Sequence, residues 1–279
     1  MSITLANMRT ELLLVVLCLS SAGCVHHNTA AQRNASFSPY RDAKVGEESL
    51  WEYLSDRSAA LITAERLDTN SPRTNSFTFR NSSTNAWRGA ATPIDKRGYF
   101  LTAAHCVEKG QFWLVFPQGD KMQVERARIV WRGDKKDGEV DLAVLCVSRP
   151  ISPAFQWAAE FTNGSPVVDL GWSLNDHSRQ VKPQWMAGRI LKVAEALSKD
   201  SLDYTVISHS SPMRPGDSGG PLVLSDGRLL GINVNVRLNL QWSHLSFGQH
   251  SEAHRPDLVW QRKVIDADEA LFPKENSSQ

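Results

Sequence analysis

The sequence predicts an all-β domain of the barrel or sandwich class, flanked by helices and carried behind an export signal. Three observations predict it. From Ser76 onward short apolar runs alternate with Gly, Asp, Asn and Pro, as strands and turns do. The chain has 279 residues, 41% hydrophobic and 22% charged, which suits one globular domain of ordinary balance. The N-terminus is apolar but too short to span a bilayer. A net charge of +1 gives no electrostatic footprint for nucleic acid or for an acidic ligand.

Taken in order, Met8-Arg9-Thr10-Glu11 precedes the apolar run Leu12–Leu19 and then Ser20-Ser21-Ala22-Gly23-Cys24. A short apolar stretch followed by small residues reads as an export signal over residues 1–23. "SSAGC" resembles a bacterial lipobox, which implies an acylated Cys24 and a membrane anchor that does not cross the bilayer. Val25 follows the cysteine where aspartate would oppose outer-membrane sorting, so the expected location is the periplasmic side of the envelope, at the outer membrane; plain secretion is the alternative. Residues 25–45 are polar and aperiodic and read as a tether, and His26-His27 alone make no metal site. Residues 47–67 space Leu50, Trp51, Leu54, Ala59, Leu61 and Ile62 in a helical pattern broken near Ser58. The division is therefore 24–75 for tether and helical extension, 76–272 for the main domain and 273–279 for a tail. Within that domain "GYFLTAAHCV", "FWLVF", "DLAVLCV", "PVVDLGW", "GPLVLS" and "LLGINVNV" are strand-like. Residues 256–272 close it as a helix with Leu258, Val259, Val264, Ile265 and Leu271 on one face. Cys106 and Cys146 remain after Cys18 and Cys24, either as a disulfide, which export permits, or as two buried thiols.

"RPGDSGGPL", residues 214–222, carries the chemistry. A serine hydroxyl is a weak nucleophile until a base takes its proton. The oxyanion made by its attack needs preplaced N–H donors. Glycine backbones reach conformations closed to other residues, so the N–H groups of Gly216 and Ser218 can converge beside the hydroxyl. Among eight histidines His105 stands out, ending the apolar run Tyr99–Ala104 where small alanines admit another segment. Asp141 opens "DLAVLCV" at a strand mouth, whereas Asp134 and Asp137 lie in a lysine-rich, solvated loop. Asp141 is thus the candidate to orient the imidazole.

"TAAHC", "DLAVL" and "GDSGGPL", in that order, resemble the trypsin/chymotrypsin-fold serine peptidases. "DKRGYFLTAAH" and "LLGIN" are similar to its bacterial HtrA-type branch. The resemblance implies two six-stranded barrels, catalysis by His105, Asp141 and Ser218, an oxyanion hole from Gly216 and Ser218, peptide substrates and no cofactor or metal. Departures from the family are informative. No "IVGG" terminus precedes His105, so Asp217 lacks the family's ammonium partner and an internal cation, with Arg214 a candidate, is expected instead. Val234 stands where the family has a hydroxyl supporting the aspartate. Pro212, Val234 and Val236, at the substrate-binding positions, imply a pocket for small or medium apolar side chains. The chain ends too soon for a PDZ module. The expected protein is an exported, membrane-tethered serine endopeptidase; the alternative is a weakly active or inactive scaffold that keeps the fold.

Overall fold

The computed structural model describes residues 40, 42–63, 77–78, 87–118, 121–133, 140–151, 153–175, 180–198, 202–241 and 246–273. The expected signal, Cys24 and most of the tether (25–45) lie outside these residues; at the tether's end Tyr40 is buried and Lys44–Val45 is a strand rather than aperiodic chain. Strands β1 (Lys44–Val45) and β2 (Glu48–Ser49) form a small hairpin ahead of helix α1 (Leu50–Ser55). Ser49 caps α1: its hydroxyl accepts the Glu52 N–H, and the Glu52 carboxylate takes the Ser49 N–H in return.

The expected helix ends there. Ala59–Thr63 is instead strand β3, a stave of the first barrel, so that barrel begins at Ala59 and not at 76. A short, continuous apolar run does not distinguish helix from buried strand by periodicity. Here Ala59, Ala60, Leu61 and Ile62 are all fully buried, as a stave covered on both faces requires. The first barrel closes through β3, β5 (Trp87–Asp95), β6 (Tyr99–Thr102), β9 (Ala143–Val147), β8 (Lys121–Arg132) and β7 (Phe112–Gln118).

The second sheet runs β10 (Pro166–Asn175), β13 (Pro221–Leu224), β14 (Leu229–Gln241), β15 (Ser246–Pro256), β12 (Asp203–His209) and β11 (Gln180–Leu197). Pairing of β10 with β11 returns it on itself, and the two-residue strand β4 (Phe77–Thr78) pairs with the free edge of β11. All these pairings are antiparallel, which gives the two-barrel architecture that the motifs imply.

The last helix is α2 (Leu258–Leu271), capped by Asp257, whose carboxylate accepts the Trp260 N–H at 2.7 Å. Its buried face differs from the expected one. Ile265, Gln261 and Asp268 are buried, while Val259 and Leu271 are 62% and 75% exposed. Asp268 reorients the helix: it accepts the Tyr99 hydroxyl at 2.8 Å and pairs with Arg128 of β8. A partly buried ion pair and a buried hydrogen bond thus favour a face other than the one apolar spacing alone assigned.

Candidate active site

The two barrels meet along a seam of hydrogen bonds, and the segments carrying His105, Asp141 and Ser218 lie on it. From the first barrel, β6 is buried throughout and runs through Ala103 and Ala104 into a 3₁₀ turn, Ala104–Val107, that presents His105 half-buried. Asp141 precedes β9 and is 8% exposed. Its Oδ1 accepts the His105 backbone N–H at 3.0 Å and its Oδ2 lies 2.7 Å from His105 Nδ1. That contact places the ring proton on Nδ1 and leaves Nε2 as the acceptor. Burial alone pulls the His105 pKa down; the Asp141 hydrogen bond and charge, with the Cys106 side chain, outweigh it and raise the pKa. Burial pushes Asp141 the other way, and the bonds and charge from His105 hold it low. The geometry therefore stabilises the imidazolium that forms once Nε2 takes a proton.

From the second barrel comes the turn 214–220. The Asp217 N–H donates to the Arg214 carbonyl at 3.0 Å, and the Gly220 N–H to the Asp217 carbonyl at 2.9 Å. Gly216 and Gly219 have φ of 99° and 88°, left-handed values that a side chain would strain. Across the seam, the Ala90 N–H of β5 donates to the Ser218 carbonyl at 2.8 Å and Thr92 Oγ1 to the Gly219 carbonyl at 3.0 Å. Cys106 Sγ lies 4.0 Å from the Ser218 carbonyl oxygen, so the residue after His105 abuts the backbone of Ser218. The N–H groups of Gly216 and Ser218 have no acceptor among the described residues. Nor does a hydrogen bond join the Ser218 hydroxyl to His105 among the described residues, the looser geometry common in unliganded sites.

Arg214 is not the counter-ion expected for Asp217. It gives its backbone N–H to Oδ2 at 2.6 Å, Gln184 Nε2 serves Oδ1 at 3.1 Å, and the guanidinium charge is the weakest influence on the carboxyl. Pro212 is half-buried, Val234 is buried in the core, and Val236 is half-buried beside exposed Asn235. Cys106 and Cys146 are both buried free thiols. Trp172 is fully buried, its indole N–H on Ser58 Oγ at 3.1 Å, and Trp185 packs on Trp51 with ring centroids 4.9 Å apart.

Three residues escaped the sequence. His254 of β15 is 7% exposed, and its Nδ1 accepts the backbone N–H of Asp141 at 3.2 Å, tying the Asp141 backbone to the second barrel. Burial lowers its pKa to about 4, so it is neutral and able to accept. His209 is fully buried, its pKa lowered by burial to about 3 despite the nearby Asn233 amide. Asp169, alone among apolar residues of β10, is 1% exposed beneath the serine turn. Its signal was a lone carboxylate in "PVVDLGW"; the two histidines gave none.

A groove of about 540 Å³, lined by residues including Leu191, Tyr204, Arg237, His250, Glu252 and His254, opens on the second barrel. A larger one, about 720 Å³, lies at Arg128 and Phe272, around the end of α2. No group of His, Cys, Asp or Glu among the described residues is arranged to hold a metal, and no described helix is long and apolar enough to cross a membrane.

Fold and site define a serine peptidase of trypsin fold. Residues 89–232 match the trypsin-like peptidase domain family, and the chain belongs to it. It is 29% identical over 195 residues to the serine protease Do-like HtrA of Bacillus subtilis (strain 168), covering 65% of this chain and 41% of that relative. Among solved structures it resembles the HtrA-type protease AlgW with decapeptide, with a TM-score of 0.52 and 21% identity, over 79% of this chain and 66% of that one. The MamO protease domain from Magnetospirillum magneticum (apo form) aligns with a TM-score of 0.49 and 15% identity, over 76% and 98% of the two chains. The chain spans less than half the length of the curated relative it matches.

Proposed function

We propose that the protein is an exported, membrane-tethered serine endopeptidase whose triad is His105, Asp141 and Ser218. The observation that carries this is the two-point contact of Asp141 with His105, on a segment that abuts the Ser218 backbone. His105 Nε2 takes the Ser218 proton as Oγ bonds to the substrate carbonyl carbon. The resulting oxyanion is received by the Gly216 and Ser218 N–H groups. The imidazolium then protonates the leaving amine as the peptide C–N bond breaks, and water releases the acyl group by the reverse proton path. Removing one oxyanion donor typically costs about 100- to 1,000-fold in kcat.

Peptides are the expected substrates, and a structural neighbour described with a decapeptide supports this. Pro212, Val234 and Val236 favour a small or medium apolar side chain before the scissile bond. The segment ending in Cys24 supports export and acylation at the outer membrane. A second reading, a scaffold of low turnover, is favoured by Val234, which brings no hydroxyl to Asp141. Turnover of a peptide library by the purified chain, compared with Ser218→Ala, tests the peptidase. Selective cleavage after arginine would overturn the pocket assignment. Incorporation of labelled palmitate, lost in Cys24→Ala, tests the anchor.

A further inference from the structure

Beneath the serine turn two carboxyl groups are buried together, and no cationic side chain among the described residues hydrogen-bonds either of them. Asp169 of β10 lies opposite Met186 of β11, and Gly171, on the same face, lies opposite Gln184. A Cβ at Gly171 would run into Asp217 Oδ1, so the Asp217 carboxyl fills the space beside the Asp169 face. Both residues are 1% exposed. Their donors are all uncharged. Asp169 Oδ1 accepts the Met186 N–H at 3.0 Å and the Ser211 hydroxyl at 2.9 Å. Asp217 takes the Gln184 amide and the Arg214 N–H. Asp169 Oδ2 is buried with no hydrogen-bond partner among the described residues.

Two anions here would be untenable. Taking one carboxylate out of water costs several kcal/mol even after relaxation, and a second charge beside it adds to that. An orphaned O–H costs far less than an orphaned anionic oxygen. The groups that face Asp169 are Met186 and Gln184 from β11, Leu222 from β13, Ser211, and Asp217 from the turn. Asp217 alone of these is titratable, and Arg214 adds its charge only on the Asp217 side.

We propose that the pair shares one proton, held on Asp169 Oδ2, and that this neutral carboxylic acid replaces an internal cation in supporting the turn that aims the Gly216 and Ser218 N–H groups. Asp169 is then a positioning residue, acting through Asp217; its effect on turnover rests on the peptidase reading given above. Burial first, and then the Asp217 charge, hold the Asp169 pKa well above the carboxylate range, while burial raises Asp217 to about 6. Both shifts mean the folded state binds protons that the unfolded chain releases. Stability from the pair is therefore present at low pH and lost as pH rises through the folded-state values.

Asp169→Asn keeps the shape and cannot ionise; Asp169→Leu removes the acceptor for Met186 and Ser211. Three readouts are compared with wild type: kcat/KM against pH, unfolding temperature against pH, and the infrared C=O band of a protonated carboxylic acid. The proposal expects the band to disappear in Asp169→Asn. It expects that variant's alkaline limb of activity and of unfolding to move up by about one pH unit or more. Asp169→Leu should lose roughly tenfold in kcat with a smaller change in KM, and Asp169→Asn should recover most of that loss. An unchanged band with superimposed pH curves in Asp169→Asn overturns the proposal, whether or not the leucine variant folds. The band and the unfolding curves need no turnover. If they respond while Ser218 proves unreactive, the proton assignment stands and the peptidase reading falls; full activity with unresponsive curves does the reverse.

Discussion

The two halves of the site solve opposite electrostatic problems. In the first barrel His105 and Asp141 bring complementary charge, and each shifts the other towards its ionised form. In the second barrel Asp169 and Asp217 bring like charge, and burial pushes both towards neutrality. One half is held by the His105–Asp141 contact that the proposed chemistry would use, the other by backbone amides and a glycine-rich turn. Substitutions in the first half should therefore strike the chemical step directly, and those in the second should act through the shape of the oxyanion turn.

The largest expected effect lies in the first half. Asp141→Asn should reduce kcat by about 10,000-fold by favouring the wrong imidazole tautomer. Activity requires neutral His105, so kcat/KM rises as pH climbs through a His105 pKa that Asp141 has raised. Losing that charge moves the acid limb to lower pH, which a profile of the residual activity will report. Gly171→Ala, in the second half, forces its new Cβ against Asp217 and should displace the turn. A loss of about 100-fold or more in kcat is expected, with the fold retained by circular dichroism. A near-normal kcat would separate Asp217 from the oxyanion donors.

Between the halves, His254→Phe leaves the Asp141 N–H without its acceptor. The expected cost is about 1–3 kcal/mol, read as a lower kcat or a lower unfolding temperature. His254 and His209, with pKa values of about 4 and 3, share a pH signature. The unfolded chain binds protons at both sites below roughly pH 6.5, and the folded chain does not. Stability should fall as pH drops from there towards 3, and replacing His209 with an isosteric neutral residue should flatten that decline. The smallest effect belongs to Tyr99→Phe, far from the seam. It removes one bond to Asp268 for about 1 kcal/mol of stability and leaves turnover intact.

The parts of this architecture legible in sequence were those where local chemistry is distinctive. "TAAHC", "DLAVL" and "GDSGGPL" mark residues whose neighbours along the chain share their task, and the structure brings those three segments to one seam. β5, β11 and β15 were not read from the sequence, although strands such as β6, β7, β9 and β13 were legible between their turn residues. β3 was not, because Ala59–Ile62 is apolar without alternation and its partners, β5 and β7, come later in the chain. The face of α2 was set by Tyr99 and Arg128, distant in sequence, against the pull of apolar spacing. His254 and Gln184 owe their roles to pairings across β15 and β11, which local pattern does not encode. Asp217 could be flagged as partnerless, but its neutral partners emerge only once β10, β11 and the serine turn are stacked.

The central claim is that His105 deprotonates Ser218 beside the Gly216 and Ser218 amide donors. Mass spectrometry of the folded protein after exposure to a fluorophosphonate tests it most directly. A single adduct on Ser218, absent from Ser218→Ala and strongly slowed in His105→Ala, is the predicted result. No adduct at Ser218 in the folded protein, or labelling equally fast without His105, would contradict it.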